Sequence, residues 1–447
     1  MFRNCLLILI GGALAAFVGC SGDDEEVGGD NPVVRIGALY PDDGGGSDSA
    51  DAIRMAVADI NESGVLDVTI EVVPKYFNDD SDRGAQATEL MRDYGVVALA
   101  SAWSSTALTV LRLTNSDEYA NIIQCSGSST NTTINNPATV AEEDGTLNSD
   151  QNGTLFRTTA NDIQQAALLW TLVEDGSKLG VYALNDAYGS SFRDQMVSRA
   201  GNAGLGFDAT FENDLNIADE QGDIDTILAA NAAGTLNALV LVGLPNHGSP
   251  IVKELVSATV PFTGTILVPD GMLSAGFFAS LDASFTAWLS TDGNAIYATA
   301  PEMYEGDNSA AWTTRLEAFD AGVDLSNAFL PSHADCAYMF GLSLLKAGGD
   351  VTKIRDMMET FSDEAVGVGA TEITPNAAGF QAAKAALDAG ESIVLNGASG
   401  LMTWDADGDR AVQLYKTMAV QDDAGSYSWV QDKVWNAATG ECVKYCD

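Results

Sequence analysis

The chain has 447 residues, 46% of them hydrophobic, and a formal net charge of −42 from 63 acidic and 21 basic side chains. A chain of this length is longer than a domain with one ordinary hydrophobic core, so we expect two lobes. The acidic excess repels phosphate backbones and anionic lipid surfaces, which argues against nucleic acid as a partner. The acidic residues are spread along the chain, as in a heavily solvated surface suited to a salty medium.

The first residues have the pattern of an export signal. Arg3 supplies a positive charge, and residues 6–18 form an apolar stretch too short for the roughly 20 residues that span a bilayer. The stretch ends at Gly19-Cys20, which resembles a bacterial lipobox, although Phe17 stands where Leu is usual. We expect a lipoprotein signal peptide at 1–19, lipidation of Cys20 and a flexible polar tether over 20–32. An ordinary secretory signal followed by a chance cysteine is the alternative.

From Val33 onward, short apolar runs alternate with apolar residues at helical spacing, which predicts parallel sheets with helical crossovers. A first unit has predicted strands at 33–39, 68–74, 96–100 and 122–125, with helices after the first strand and near 86–94 and 106–119. A second unit has strands at 179–184, 207–211, 238–242 and 265–268, with helices at 163–174, 191–203 and 224–231.

The last third of the chain does not supply a third sheet of matching length. Its predicted helices at 311–321, 333–347 and 377–389 are therefore expected to return to the first lobe. Residues 414–420 and 427–434 flank a polar turn and predict a hairpin.

Two serine-rich turns follow predicted strands of the first unit. They read SAWSST at 101–106 and CSGSST at 125–130. In open α/β sheets, ligands bind beyond the carboxyl ends of the strands, and N–H groups and hydroxyls there hold a carboxylate without a fixed cation. Helix capping and turn formation are the ordinary alternative for these serines.

Several segments, in this order, resemble the leucine/isoleucine/valine-binding family of periplasmic solute-binding proteins, the extracytoplasmic receptors of certain ABC importers. They are VRIGALYP with DAIRMAVADIN at 34–61, YFNDDSD at 76–82, FRTTANDIQQ at 156–165, NDAYGSSF at 185–192 and GASGLMTWDADGDR at 397–410. The polar insertion near 138–153, the acidic residues Asp42-Asp43 and the Cys-containing tail depart from the family pattern.

The resemblance implies an α/β fold with two doubly wound parallel-sheet lobes joined by three hinge crossings, the type I periplasmic binding protein fold. The crossings are expected near Arg157, Ala298 and Leu395. Lobe I then comprises 33–157 plus about 299–395, and lobe II comprises 158–298 plus about 396–447.

The resemblance also implies which residues hold the ligand. The carboxylate of an amino acid is expected against Ser104, Ser105, Gly127 and Ser129, within a residue or two in each turn. Asp270 is expected to pair with the α-ammonium, Tyr188 to cover the ligand, and Trp103 to form a wall of the side-chain pocket. Asn246 and His247 are further candidates for specificity.

The chain carries no motif that supports an enzyme, so we expect neither catalytic residues nor a cofactor. No metal site is expected, because His247 and His333 stand alone and the Cys442/Cys446 pair lacks further ligands. In an oxidising compartment that close pair is a candidate disulfide, whereas the pairing of Cys125 and Cys336 stays open.

The expected function is a lipid-anchored receptor in the cell envelope, on the periplasmic side of a bacterial membrane. It would bind a small polar ligand, most simply an amino acid, and deliver it to an ABC permease and ATPase complex. A sensory or regulatory lipoprotein on the same fold is the alternative, because one scaffold hosts many functions.

Overall fold

The computed structural model describes residues 31–135, 149–174, 176–201, 204–213, 215–302, 307–362, 369–411, 413–423, 425–436 and 439–446. The predicted signal peptide, Cys20 and the tether up to residue 30 lie outside these ranges. Among the described residues, no helix has both the length and the apolar character needed to cross a membrane.

The first sheet is entirely parallel, with the strand order β2-β1-β3-β4-β5. Its strands are β1 (Val33–Pro41), β2 (Thr69–Phe77), β3 (Ala98–Ser101), β4 (Ile123–Ser126) and β5 (Leu155–Arg157). The helices that connect them are α1 (Gly44–Ser63), α2 (Asp80–Arg92) and α3 (Ser104–Thr114). The central strands β3 and β4 are buried at every position, as expected of a parallel sheet covered on both faces.

The second sheet begins as another parallel unit. Its parallel strands are β6 (Leu179–Leu184), β7 (Phe207–Phe211), β8 (Ala238–Val242), β9 (Thr265–Val268) and β10 (Ala295–Pro301). Its helices are α4 (Asp162–Thr171), α5 (Ala187–Ala200), α6 (Ile217–Ala232), α7 (Pro245–Ser257) and α8 (Ala283–Leu289). Asp186 caps α5 by accepting a hydrogen bond from the Gly189 N–H at 2.8 Å, which fixes where the loop after β6 turns into helix.

The chain then returns to the first sheet. It forms α9 (Asp307–Phe319), α10 (Leu330–Lys346), α11 (Ile354–Glu359), β11 (Thr371–Ile373), α12 (Ala377–Asp388), β12 (Ile393–Gly397) and β13 (Gly400–Met402). Helix α10 is buried from Leu330 to Leu345 and packs against α1, and the Tyr338 hydroxyl donates to Asp59 Oδ2 at 2.5 Å. Helices α9, α10 and α12, which the sequence predicted to return to the first lobe, all contact α1. Ala398, Met402 and Trp404 also lie in this core, a few residues past the predicted crossing near 395.

The predicted hairpin is confirmed and extends the second sheet. Strands β14 (Leu414–Asp423), β15 (Ser426–Asn436) and β16 (Glu441–Lys444) add antiparallel to β10, so the full order is β16-β15-β14-β10-β9-β8-β6-β7. Strands β11 to β13 form a separate three-stranded sheet.

Two disulfides are present among the described residues. Cys442 is bonded to Cys446 at the end of the chain, with their Cα atoms 5.7 Å apart. Cys125 of β4 is bonded to Cys336 of α10, with their Cα atoms 5.6 Å apart, which answers the pairing that the sequence left open. This second bond ties the late helix to the strand that leads into the second serine-rich turn.

Candidate functional site

A cavity of about 610 Å³ lies where the strands of both sheets end. It is lined by residues from the loops that follow β1, β3, β4, β6, β7, β8 and β9, together with the segment that leads into α10. Its size is that of a small-molecule site, and its position matches the rule that ligands of open α/β sheets bind beyond the strand ends. We call this cavity the cleft.

Most of the residues predicted from the sequence line the cleft. They are Trp103, Ser104, Ser105, Tyr188 and Asp270, with Asn246 from the further candidates. His247 is fully buried, and its Nε2 lies 3.0 Å from the Asn213 carbonyl oxygen.

Gly127 and Ser129 lie behind the cleft wall, whereas their neighbours Ser128 and Thr130 line it. Gly127 packs against His333, and a Cβ atom added at Gly127 would lie 2.6 Å from the backbone nitrogen of His333. Ser129 is fully buried, and its N–H donates to Ser126 Oγ at 3.1 Å. The turn therefore presents alternate residues to the cavity.

The two serine-rich turns are joined by their own hydroxyls. Ser104 Oγ accepts from the N–H groups of Thr130 at 3.2 Å and Asn131 at 3.1 Å, and Ser128 Oγ accepts from the Trp103 N–H at 3.1 Å. Helix α3 begins at Ser104 without a side-chain cap among the described residues. The first-turn N–H groups of a helix have no partner within it, so this end of α3 suits a carboxylate.

On the opposite wall, Asp270 and Tyr188 form one unit. The Tyr188 hydroxyl donates to Asp270 Oδ1 at 2.7 Å, and the Gly271 N–H donates to the same oxygen at 2.8 Å. Asp270 is 6% exposed, and burial raises the pKa of its carboxyl to about 6 although these hydrogen bonds oppose the rise. The Gln165 side chain approaches this carboxyl and also opposes the rise, but Asp270 Oδ2 has no partner of regular hydrogen-bond geometry among the described residues. The unit can accept a positively charged group.

A second buried carboxyl, Asp162, lies behind this wall and was not identified from the sequence. It stands in the first turn of α4, and its N–H donates to the Thr130 carbonyl at 2.7 Å. Burial raises the pKa of Asp162 to about 8, and the nearby Asp270 carboxyl adds to the rise. Hydroxyls of Ser191 and Thr130 approach the Asp162 carboxyl and partly oppose that shift, but without regular hydrogen-bond geometry. An acidic residue in a first helical turn is so common that no local signal marks this one as buried.

The cleft is strongly acidic. Six carboxyl side chains line it, namely Asp43, Asp48, Asp186, Glu212, Asp270 and Asp324. Among the described lining residues, Arg83 is the single arginine or lysine, and its guanidinium carbon lies 4.8 Å from the Phe77 ring centroid. His333 adds no charge at neutral pH, because burial lowers its pKa to about 3. Such a cavity attracts cations and repels anions.

Residues that follow strands of the first sheet contact the start of helix α5 of the second sheet, directly beside the cleft. Ser105 Oγ donates to Asp186 Oδ2 at 2.8 Å, and the Thr132 N–H donates to Ser191 Oγ at 3.0 Å. Asn131 Nδ2 also donates to the Ala187 carbonyl. The first serine-rich turn is therefore connected to the opposite wall through Ser105, and the segment after the second turn is connected to it through Asn131 and Thr132. No group of three or more metal-binding side chains occurs within the part of the chain that the structure describes.

A protein-family model described as a periplasmic binding protein matches residues 33–367. No curated protein matches the sequence.

Many solved structures match the fold at low sequence identity. The branched-chain amino acid transporter substrate binding protein LivJ from Streptococcus pneumoniae, solved with isoleucine, is 17% identical, with a TM-score of 0.63 over 89% of this chain and 99% of that one. Leucine binding protein LivK from Thermotoga maritima is 14% identical, with a TM-score of 0.62 over 89% of this chain and 97% of that one. A solute binding protein of an ABC transporter from R. palustris, solved with benzoate, is 14% identical, with a TM-score of 0.58 over 92% and 98%.

Proposed function

The chain belongs to the periplasmic binding protein family, whose members bind solutes and are not enzymes, and from this premise we propose that it binds an amino acid for an ABC importer. The similar structures hold either amino acids or aromatic acids, so the family alone does not choose between these ligands. The charge of the cleft favours the amino acid.

The observation that carries this choice is the buried Asp270 carboxyl in a cleft that is lined by six acidic side chains and one arginine. A ligand whose only charge is a carboxylate would be repelled by this surface. An α-ammonium would instead pair with Asp270, whose orientation Tyr188 fixes. A charge-assisted hydrogen bond of this kind contributes roughly 1.5 to 3 kcal/mol.

The other end of the ligand would lie against the first-sheet loops. Ser105, Ser128 and the start of α3 carry no formal charge themselves, and their N–H groups can hold the α-carboxylate. Trp103 would contact the side chain. The two sheets would thus contact opposite ends of one zwitterion, and hinge closure would bury both contacts.

The proposal includes a place in the cell. We propose that Cys20 is lipidated after removal of residues 1–19 and that the tether over 20–32 holds the protein at the periplasmic side of a membrane. The partners would be a permease and an ATPase. The lobes would comprise 33–157 plus about 299–395, and 158–298 plus about 396–447, with the third crossing after Trp404, because Ala398, Met402 and Trp404 pack in the first core.

A binding screen with the purified protein tests the proposal. Each amino acid is compared with its des-amino analogue, for example leucine with 4-methylpentanoate, by thermal shift and then by calorimetry. A ligand at 100 times its dissociation constant stabilises the fold by about 2.7 kcal/mol, so binding is easily detected. We expect at least one amino acid to bind and its analogue to fail. Binding of simple carboxylates without any amino acid would refute the assignment, and no response from any solute would favour the regulatory alternative.

A further inference from the structure

Two carboxyl groups that line the cleft are largely removed from water, one on each side. Asp270 follows β9 of the second sheet and is 6% exposed, and Asp48 lies in α1 on the side of the first sheet and is 8% exposed. An acidic surface suited to a salty medium keeps its carboxylates in water, so it does not account for these two. The proposed function gives a role to Asp270 and leaves Asp48 unexplained.

Asp48 has a hydrogen-bond donor but no cationic partner among the described residues. Its Oδ2 accepts from the Asp324 N–H at 3.0 Å. The described ion pairs that involve α1 use the carboxyls of Asp51 and Asp59 and not that of Asp48. A buried carboxylate in this position is stabilised by any cation that reaches it.

Other carboxyls surround Asp48. Burial raises the pKa of Asp48, the Asp324 N–H opposes the rise, and the nearby carboxyls of Asp320, Asp324 and Asp51 add to it. The repulsion between these groups means that the electrostatic potential at Asp48 is negative. A bound cation would relieve that repulsion.

The lining of the cleft leaves the side of the first sheet negative. Asp43, Asp48 and Asp324 contribute three carboxyls there, against the one guanidinium of Arg83. An amino acid with a neutral side chain brings no net charge and leaves this excess unchanged. A ligand with a second cationic group reduces the excess and offsets the cost of burying Asp48.

We propose that the ligand is a basic amino acid, whose α-ammonium pairs with Asp270 and whose side-chain cation pairs with Asp48. The α-carboxylate keeps its proposed place at the start of α3, so three charged groups of the ligand contact three places in the cleft. A cavity of about 610 Å³ has room for a side chain of this length. This inference rests on the proposed function, since it requires that an amino acid occupies the cleft.

Calorimetry on the purified protein compares basic amino acids with neutral analogues of similar shape. The pairs are L-arginine with L-citrulline and L-lysine with L-norleucine. We expect at least one basic amino acid to bind at least about tenfold more tightly than its analogue, as expected for a hydrogen bond to a charged group. Binding of neutral amino acids alone, or equal binding within both pairs, overturns this inference and leaves the proposed function standing. Binding of no amino acid overturns both.

Matched variants of α1 locate the second charge. Asp48→Asn keeps the shape and an acceptor for the Asp324 N–H, so it should reduce the preference for the basic amino acid over its analogue at least about fivefold. Glu62→Gln is the control, because Glu62 is exposed near the other end of the same helix and does not line the cleft. Should Asp48→Asn fail to fold, Asp324→Asn at an exposed position serves the same purpose. An unchanged preference in the Asp48 variant, or an equal reduction in the Glu62 variant, would refute the pairing with Asp48.

Discussion

Arg157 and Asp409, 252 positions apart in the chain, form a buried two-pronged ion pair. Arg157 Nε donates to Asp409 Oδ1 and Arg157 Nη2 donates to Oδ2, each at 2.6 Å. Arg157 Nη1 also donates to the carbonyl oxygens of Ser129 and Asn131, which belong to the segment of the second serine-rich turn. One guanidinium thus connects the end of β5, the loop before β14 and a wall of the cleft.

Asp409→Asn should strongly destabilise the protein. The substitution keeps the shape but leaves a buried guanidinium without its counter-charge, so we expect the free energy of unfolding to fall by about 3 to 5 kcal/mol. Asp407→Asn in the same loop is the control, because Asp407 is exposed and should change stability by no more than about 0.5 kcal/mol. Denaturant unfolding measures both, and equal stability of the two variants would contradict a structural role for the pair.

Asp270→Asn should weaken amino-acid binding. It preserves the shape of the side chain and removes the charge that faces the ligand's ammonium, so we expect a loss of about 1.5 to 3 kcal/mol, or about tenfold to a hundredfold in affinity. The exposed Asp292→Asn is the control. Calorimetry with the best amino acid from the screen decides the matter, and wild-type affinity in the Asp270 variant would exclude this pairing.

Asp162→Asn should change how stability depends on pH. Burial raises the pKa of Asp162 from its ordinary 3.8 to about 8, so between these values the native state holds a proton that the unfolded chain releases. The resulting stabilisation is complete below about pH 4 and is lost as the pH rises through 8. We expect the variant, which has no proton to lose, to show a shallower fall in thermal stability from pH 5 to pH 9. Parallel curves for variant and wild type would contradict the buried protonated state.

The two disulfides should differ in their contribution to stability. Cys125–Cys336 has a sequence separation of 211, whereas Cys442–Cys446 has a separation of 4. Because the entropy removed from the unfolded chain grows with loop length, replacing both members of the first pair by Ala should cost about 2 to 5 kcal/mol, and replacing the second pair should cost less. Denaturant unfolding of the two double variants tests this order. Equal losses of stability in the two variants would contradict it.

Cys20→Ala should release the protein from the membrane fraction. The prediction rests on the apolar run that ends at Gly19-Cys20, since a thiol there is the acylation site of a lipobox. Fractionation and mass spectrometry of the N-terminus compare variant and wild type. If the variant stays in the membrane unprocessed, or if wild-type Cys20 carries no lipid, the anchor is refuted.

Strands were predictable where a short apolar run is bounded by residues that break strands. The predicted strand 265–268 coincides with β9, a buried run bounded by Gly264 and Pro269. Strand β5 has three residues, too few for a periodic signal. Helix α7 was missed because it contains Pro250, a residue that normally argues against a helix interior.

The sequence predicted the location of the cleft better than it predicted the residues that line it. Asp270 could be found because it lies just past a strand of the parallel sheet, at a place where the family that the sequence resembles carries an acidic residue. Asp162 and Asp409 could not, since both resemble the other members of a set of 63 acidic residues and their burial depends on distant segments. The shift from Gly127 and Ser129 to Ser128 and Thr130 has a similar cause, because the direction of each side chain in a turn depends on backbone angles that composition does not encode.

Helix α1 packs more extensively against α10 than against α9 or α12, and the hydrogen bond between Tyr338 and Asp59 joins residues 279 positions apart. A chain that emerges with its N-terminus first therefore displays the apolar face of α1 for most of the time that it is being made or moved. The first core cannot close until α10 is available, so the face of α1 that α10 covers stays exposed while the intervening segments are added. The order of segments along the chain thus delays closure of the first core until α10 is present.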